Sequence, residues 1–242
     1  MRIDILTLFP EMFSAFDTSI IKRAIDNESV VIKIHDYREY SLRNHNKVDD
    51  YAYGGGAGMV IEVEPIVNNL RNIKGFNQAR KVITSPVGKT LNQDLVRELS
   101  KEEHIIIVCG HYEGIDERIM EYVDEAISIG DYILTGGEIA AMAIVDSVVR
   151  LIPNVLGNDE SSVDESYSHG LLEYPQYTRP EVFEGHQVPE VLLSGHHENI
   201  RKFRRFKSLE RTYHNRKDLL EKLELTKEDM KFLEKIKRGE SF

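Results

Sequence analysis

The chain reads as an α/β protein in which a mostly parallel sheet, covered on both faces, is followed by a small helical module. Three observations predict this. Short β-rich runs alternate with helical patterns through the first two-thirds of the 242 residues, the run HIIIVC at 104–109 is consecutively apolar, and a polar, acidic, Ser-rich stretch at 157–170 precedes a basic helical region. Alternating strands and helices imply parallel strands joined by crossovers, and a strand buried from both sides has no polar face to alternate with.

In order, residues 2–8, 30–35, 81–84, 104–109 and 125–129 read as strands, and 11–25, 64–71, 92–100, 115–123 and 137–152 as helices. The last of these helices is apolar almost all the way round, as a helix covered on several sides must be, and Pro153 stops it. GNDESSVDESYSHG at 157–170 has no usable period and reads as a linker. The three prolines of EYPQYTRPEVFEGHQVPEVLLSG follow it, and then helices at 195–215 and 226–238. The expected division is 1–156, a linker at 157–170, and 171–242.

With 41% hydrophobic and 30% charged residues, the chain can bury a core and is neither disordered nor fibrous. The opening MRIDILTLFP lacks the apolar stretch of a secretory signal, and the most apolar run, 139–145, is far short of the roughly 20 residues that cross a bilayer. A single Cys109 allows no internal disulfide and no CxxC pair. The expectation is a cytoplasmic protein with no membrane span.

Net charge is -10, which argues against a nucleic-acid partner only if the charge is evenly spread. It is not: residues 200–217 carry eight Arg or Lys against Glu210 alone, a local balance of +7 that leaves -17 elsewhere. Phe203, Phe206 and Tyr213 are interleaved with these cations, a pattern that suits phosphates and stacked bases, although a solvated helix face has the same signature.

Four glycine-bearing loops interrupt the β/α region: YAYGGGAGM (51–59), TSPVGK (84–89), CGHYEG (109–114) and SIGDYILTGGE (128–138). The last three follow expected strands and so gather at the carboxyl edge of one sheet, where open α/β folds bind ligands. No GxGxxG follows the first strand, and GxxxxGK[ST], GxSxG and HExxH are absent. Rossmann, P-loop, serine-nucleophile and metal-centred chemistries are therefore disfavoured.

The blocks LTLFPEMF, VDDYAYGGGAGM, CGHYEGIDERI, SIGDYILTGGE, RLIPNVLGN, GLLEYPQYTRP and VPEVLLSGHH, in that order over about residues 1–220, closely resemble the bacterial tRNA (guanine-N1)-methyltransferases of the SPOUT class. That resemblance implies a parallel sheet with a deep trefoil knot, S-adenosylmethionine bound in the knot, a helical C-terminal domain, a homodimer, and methylation of tRNA guanosine 37 beside the anticodon. It carries the cofactor site to Thr84, Ser85 and Pro86, to Gly110, Tyr112 and Glu113, to Ile129, Gly130, Asp131, Tyr132, Ile133 and Leu134, and to Gly136 and Gly137. For Ile129, Ile133 and Leu134, plain core burial is the alternative. A Cβ at Gly110 or Gly130 is expected to block backbone approach to the ligand.

Guanine N1 becomes nucleophilic only when its proton leaves, and charge then grows on O6, so a base and a cation are required. The resemblance implies Arg150 as the cation, whose alternative role is a helix C-terminal charge paired with Asp146. The base position falls on Glu165, with Asp164 one residue earlier as the alternative. Arg201, Lys202, Arg204 and Arg205 are the expected tRNA grip. No metal ligands are assigned, and the sequence does not decide whether Mg2+ assists. Two rivals stay open: a SPOUT-like methyltransferase on another RNA, and a non-catalytic RNA-binding protein.

Overall fold

The computed structural model describes residues 1–156 and 165–242. The chain divides into two compact units, Met1–Gly157 and Asn158–Phe242. In chain order the first contains β1 (Arg2–Thr7), α1 (Ser19–Asp26), β2 (Val31–Asp36), β3 (Asp49–Asp50), β4 (Val60–Ile61), α2 (Val63–Asn72), β5 (Arg80–Thr90), α3 (Gln93–Leu99), β6 (His104–Cys109), β7 (Glu125–Ser128) and α4 (Glu138–Val149). The second contains β8 (Val182–Phe183), β9 (His186–Gln187), α5 (Glu190–Leu193), α6 (His197–Asn215), α7 (Lys217–Leu220) and α8 (Lys227–Lys237).

Five strands make one parallel sheet in the order β2-β1-β6-β5-β7, with Ile107 of β6 opposite Ile5 of β1 and Val82 of β5. Alternate residues of the central strands feed two cores. Ile3, Ile5, Ile105, Ile107 and Cys109 pack with Phe13, Phe16 and the inner side of α4, whereas Leu6, Ile106 and Val108 pack with Tyr37, Ile61 and α2. The consecutive apolar run in β6 is thus the signature of a strand with helices on both faces.

Three expectations are corrected. The helix read over 11–25 is a 3-10 segment, Pro10–Asp17, followed by α1. Thr18 is extended and its Oγ1 donates to Ala15 O at 2.9 Å, closing the first piece before Ser19 turns into the left-handed region. The helix read over 115–123 is a single 3-10 turn, Glu117–Glu121, because Gly114 O and Asp116 N are taken by hydrogen bonds to Ile61 of β4. The strand read over 81–84 continues to Thr90. Residues 85–88 bulge out, and Lys89 and Thr90 rejoin β7 opposite Ile127 and Ser128; Pro86 lacks the N–H that continuous pairing needs.

The second unit has its own core of Leu171, Phe206, Leu209, Leu233 and Ile236. Helix α8 starts on a reciprocal cap between Thr226 and Asp229. Arg205 of α6 reaches that same buried carboxylate at 2.7 and 2.9 Å, so one aspartate caps α8 and ties it to α6.

Candidate active site

The glycine loops meet at the carboxyl edge of the sheet. Thr84, at the end of the regular part of β5, pairs in register with Cys109 of β6 and Ile127 of β7, and its Oγ1 donates to Val108 O at 3.3 Å. From β7 the chain runs through 129–136 and returns to β6, where the Gly137 N–H donates to Gly110 O at 2.7 Å. A Cβ on Gly137 would overlap Thr84 Oγ1 and come within 2.9 Å of Gly110 N and 3.1 Å of Cys109 Cα. Thr84, Gly110 and Gly137, drawn from three separate motifs, therefore form one tight junction.

Around it lie the other expected positions. Ser85 and Pro86 occupy the β5 bulge. Tyr112 sits at φ 57° in the turn His111–Gly114, and the Glu113 N–H donates to Met59 O at 3.1 Å, which brings the YAYGGGAGM loop to the same edge. Ile133 is 80% exposed, Tyr132 54% and Tyr112 49%, while Ile129 and Leu134 are half-buried and Asp131 is exposed. Core burial of Ile133 is thereby ruled out. Exposed aromatic and aliphatic side chains beside this edge can cover a ligand that has an apolar or aromatic part.

The two glycines expected to admit the ligand differ in their surroundings within the chain. A Cβ on Gly110 would meet nothing closer than Ile115 at 3.6 Å, so packing alone does not require glycine there. Gly130, at φ 148°, lies where side chains are rarely tolerated, and a Cβ would overlap the Tyr132 ring.

Beneath the junction three groups are deeply buried. Tyr37 OH donates to Cys109 O at 3.5 Å, and burial pushes this hydroxyl well above its usual range. Burial, and next the Glu138 charge, push the Cys109 thiol up, so it is inert as a nucleophile. Glu138 opens α4 at 1% exposure and accepts from Thr7 Oγ1 at 2.9 Å. An acid before an apolar helix reads in sequence as an ordinary favourable N-terminal charge, and so Thr7, His111 and Glu138 were not legible as a group.

Arg150 follows α4, its N–H donating to Asp146 O at 3.2 Å. In the second unit, Glu165 lines a cavity of about 280 Å³ with His197, Arg201, Arg204 and Arg205, which brings the expected base and three of the four expected RNA-binding residues to one place. Glu165 O accepts from the Ser168 N–H at 3.1 Å; Asp164 lies outside the described residues.

The four basic positions differ in kind. Arg201 pairs with Glu198 and Glu228 at 2.9 and 3.2 Å, Lys202 approaches Glu198 at 3.5 Å, and Arg204 lies over the Tyr174 ring at 4.8 Å. Arg205 is held by buried Asp229, whose own burial would raise its pKa but which Arg205 and the Thr226 cap together hold down at about 2. Among the described residues no group of three or more His, Cys, Asp or Glu side chains is placed to hold a metal ion, and no residue is assigned to Mg2+. None of their helices is long and apolar enough to cross a membrane.

Comparison with known proteins bears on what gathers at this edge. The family model described as tRNA (Guanine-1)-methyltransferase TrmD matches residues 1–222. A tRNA (guanine-N(1)-)-methyltransferase of Clostridium beijerinckii is 60% identical over 96% of this chain and 98% of its own length, and that of Clostridium novyi is 57% identical over 97% of each. One from Clostridium botulinum (strain Loch Maree / Type A3) is 58% identical over 96% of this chain and 97% of its own. Because the match spans all four glycine loops, Arg150 and the whole of α6, the chain belongs to the tRNA (guanine-1)-methyltransferase TrmD family.

Proposed function

We propose that this chain transfers the methyl group of S-adenosylmethionine to N1 of guanosine 37 in tRNA. The observation that carries the reading is the Thr84–Gly110–Gly137 junction, a backbone cradle at the carboxyl sheet edge, in a chain whose relatives are named tRNA (guanine-N(1)-)-methyltransferase. S-adenosylmethionine has no phosphates and asks for backbone donors and acceptors with aromatic and aliphatic cover. Gly110, Gly130, Gly136 and Gly137 let the backbone of these loops come close to it, and Tyr112, Tyr132, Ile133 and Leu134 supply the cover. When bound, it supplies a methyl group bonded to a positively charged sulfur.

The remaining chemistry falls to the protein's own side chains. Glu165, or Asp164 beside it, takes the N1 proton, and Arg150 faces O6 as charge gathers there. In this reading residues 1–156 are the catalytic domain, 157–170 the connecting segment that delivers the base, and 171–242 the helical tRNA-binding domain, with Arg201, Lys202 and Arg204 on phosphates. The return of 129–137 from β7 to Gly110 supports a knotted chain path. The exposed side of the largely apolar α4, which carries Ile139, Ala143 and Asp146, supports a homodimer formed through this helix, which sedimentation tests. The setting is the cytoplasm.

The test is methyl incorporation into a tRNA transcript with guanosine 37 and into one with adenosine there. Incorporation at N1 of the first and none into the second is expected. Equal incorporation into both would move the target to another nucleotide, and absence of S-adenosylmethionine binding would make the chain an RNA-binding protein only.

A further inference from the structure

Glu138 is a buried carboxylate that the proposed reaction does not use. Its Oε1 is satisfied by Thr7, the last residue of β1, while Oε2 lies 3.7 Å from His111 Nδ1. That distance is too long for a hydrogen bond but within the range of charge interaction, and Nδ1 is buried with no hydrogen-bond partner. The imidazole packs against two rings, Phe9 at 4.6 Å and Tyr112 at 5.1 Å, the latter edge-on. His111 also forms a backbone bridge with Gly136, where a Cβ would overlap both Glu138 Oε2 and His111 Nδ1. The glycine is therefore what lets carboxylate and imidazole face each other between the two loops.

We infer that Glu138 and His111 are a positioning pair for the methyl-donor site. The carboxylate, anchored on β1 through Thr7, holds the imidazole, and the imidazole holds the Tyr112 ring over the cradle while the 136–137 backbone closes beneath it. This rests on the proposed function, since it assigns Tyr112 to the cofactor. Neither residue touches the reacting atoms, so their loss acts on cofactor binding rather than on tRNA binding.

A double-mutant cycle with Glu138→Gln, His111→Ala and the combined variant tests the pair, in the full-length protein. S-adenosylmethionine affinity is read by calorimetry, tRNA affinity by filter binding and folding by thermal melting. Each single variant is expected to weaken the cofactor about tenfold with tRNA affinity unchanged, and the combination to weaken it by little more than either alone, because the two act through one contact. Wild-type cofactor affinity in folded Glu138→Gln and His111→Ala overturns the inference. So do fully additive losses, or melting temperatures that fall while affinity holds. His111→Ala, at a half-buried site, keeps the question answerable should Glu138→Gln not fold. If the unaltered protein binds no S-adenosylmethionine, the functional reading itself has failed; if it binds and the variants bind equally, only the pairing has.

Discussion

Gly137→Ala is the most direct probe of the junction at the sheet edge. The added methyl group would overlap Thr84 Oγ1 and press on Gly110 N and Cys109 Cα at 2.9 and 3.1 Å, and two of these three atoms are backbone that cannot swing aside. Overpacking of this kind costs about 1–3 kcal/mol. Gly137 has an ordinary negative φ of -83°, so alanine also restricts the unfolded chain, which returns about 0.4–1 kcal/mol. The net is a loss of roughly 1–2 kcal/mol, a fall in melting temperature of about 2–8 °C for a chain of this size. Relief of the overlap requires the 129–137 return to lift away from Gly110, so S-adenosylmethionine affinity should fall by at least tenfold. Gly110→Ala is the control: its Cβ would meet only Ile115 at 3.6 Å, so stability should be unchanged or slightly higher. Melting followed by circular dichroism suits a chain without tryptophan, with calorimetry for the ligand. A Gly137→Ala protein as stable as its parent, with the same cofactor affinity, would refute the junction as the floor of the site.

Other expectations follow from the same geometry. Replacing Arg201, Lys202 and Arg204 by alanine should weaken tRNA binding and lower the salt slope by about one per lost phosphate contact, while cofactor affinity stays constant; an unchanged slope makes α6 a solvated face. Arg205→Ala should act first on stability, by roughly 2–3 kcal/mol, because it strands buried Asp229; the loss stays at the low side of a fully buried pair since Arg205 is partly exposed. Glu165→Gln should slow single-turnover methyl transfer by about 10²–10⁴ with near-normal affinities and partial rescue at high pH, and Asp164→Asn should do less; the reverse order assigns the base to Asp164. Arg150→Ala should slow the same step. At the opposite edge of the sheet, burial would raise the Asp4 pKa, but His35, Arg2 and His104 together hold it at about 2 against 3.8 unfolded. Its contribution of about 2 kcal/mol is then complete above pH 3.8 and lost as pH falls toward 2, so Asp4→Asn should flatten acid unfolding in that window.

How much of this was legible in the chain itself depends on the range of the forces involved. β/α alternation, the doubly buried β6 and the helices α2, α3, α4, α6 and α8 could be read because hydrophobic period and capping residues act within a few positions. So could the gathering of three glycine loops at one edge, which follows from parallel topology. The shortening of 115–123 was hidden, since it is set by Ile61, a partner far away in sequence; the break at Thr18 and the bulge at Pro86 have local causes, a hydroxyl bonded three residues back and a proline without an N–H. The basic stretch was legible as charge, but which cation is spoken for was not: Arg205 looks like Arg204 in sequence, and only the packing of α8 delivers Asp229 to one and not the other. Glu138 and His111 lie deeper still, because local sequence records that an acid and a histidine exist, and burial between two loops decides that they meet.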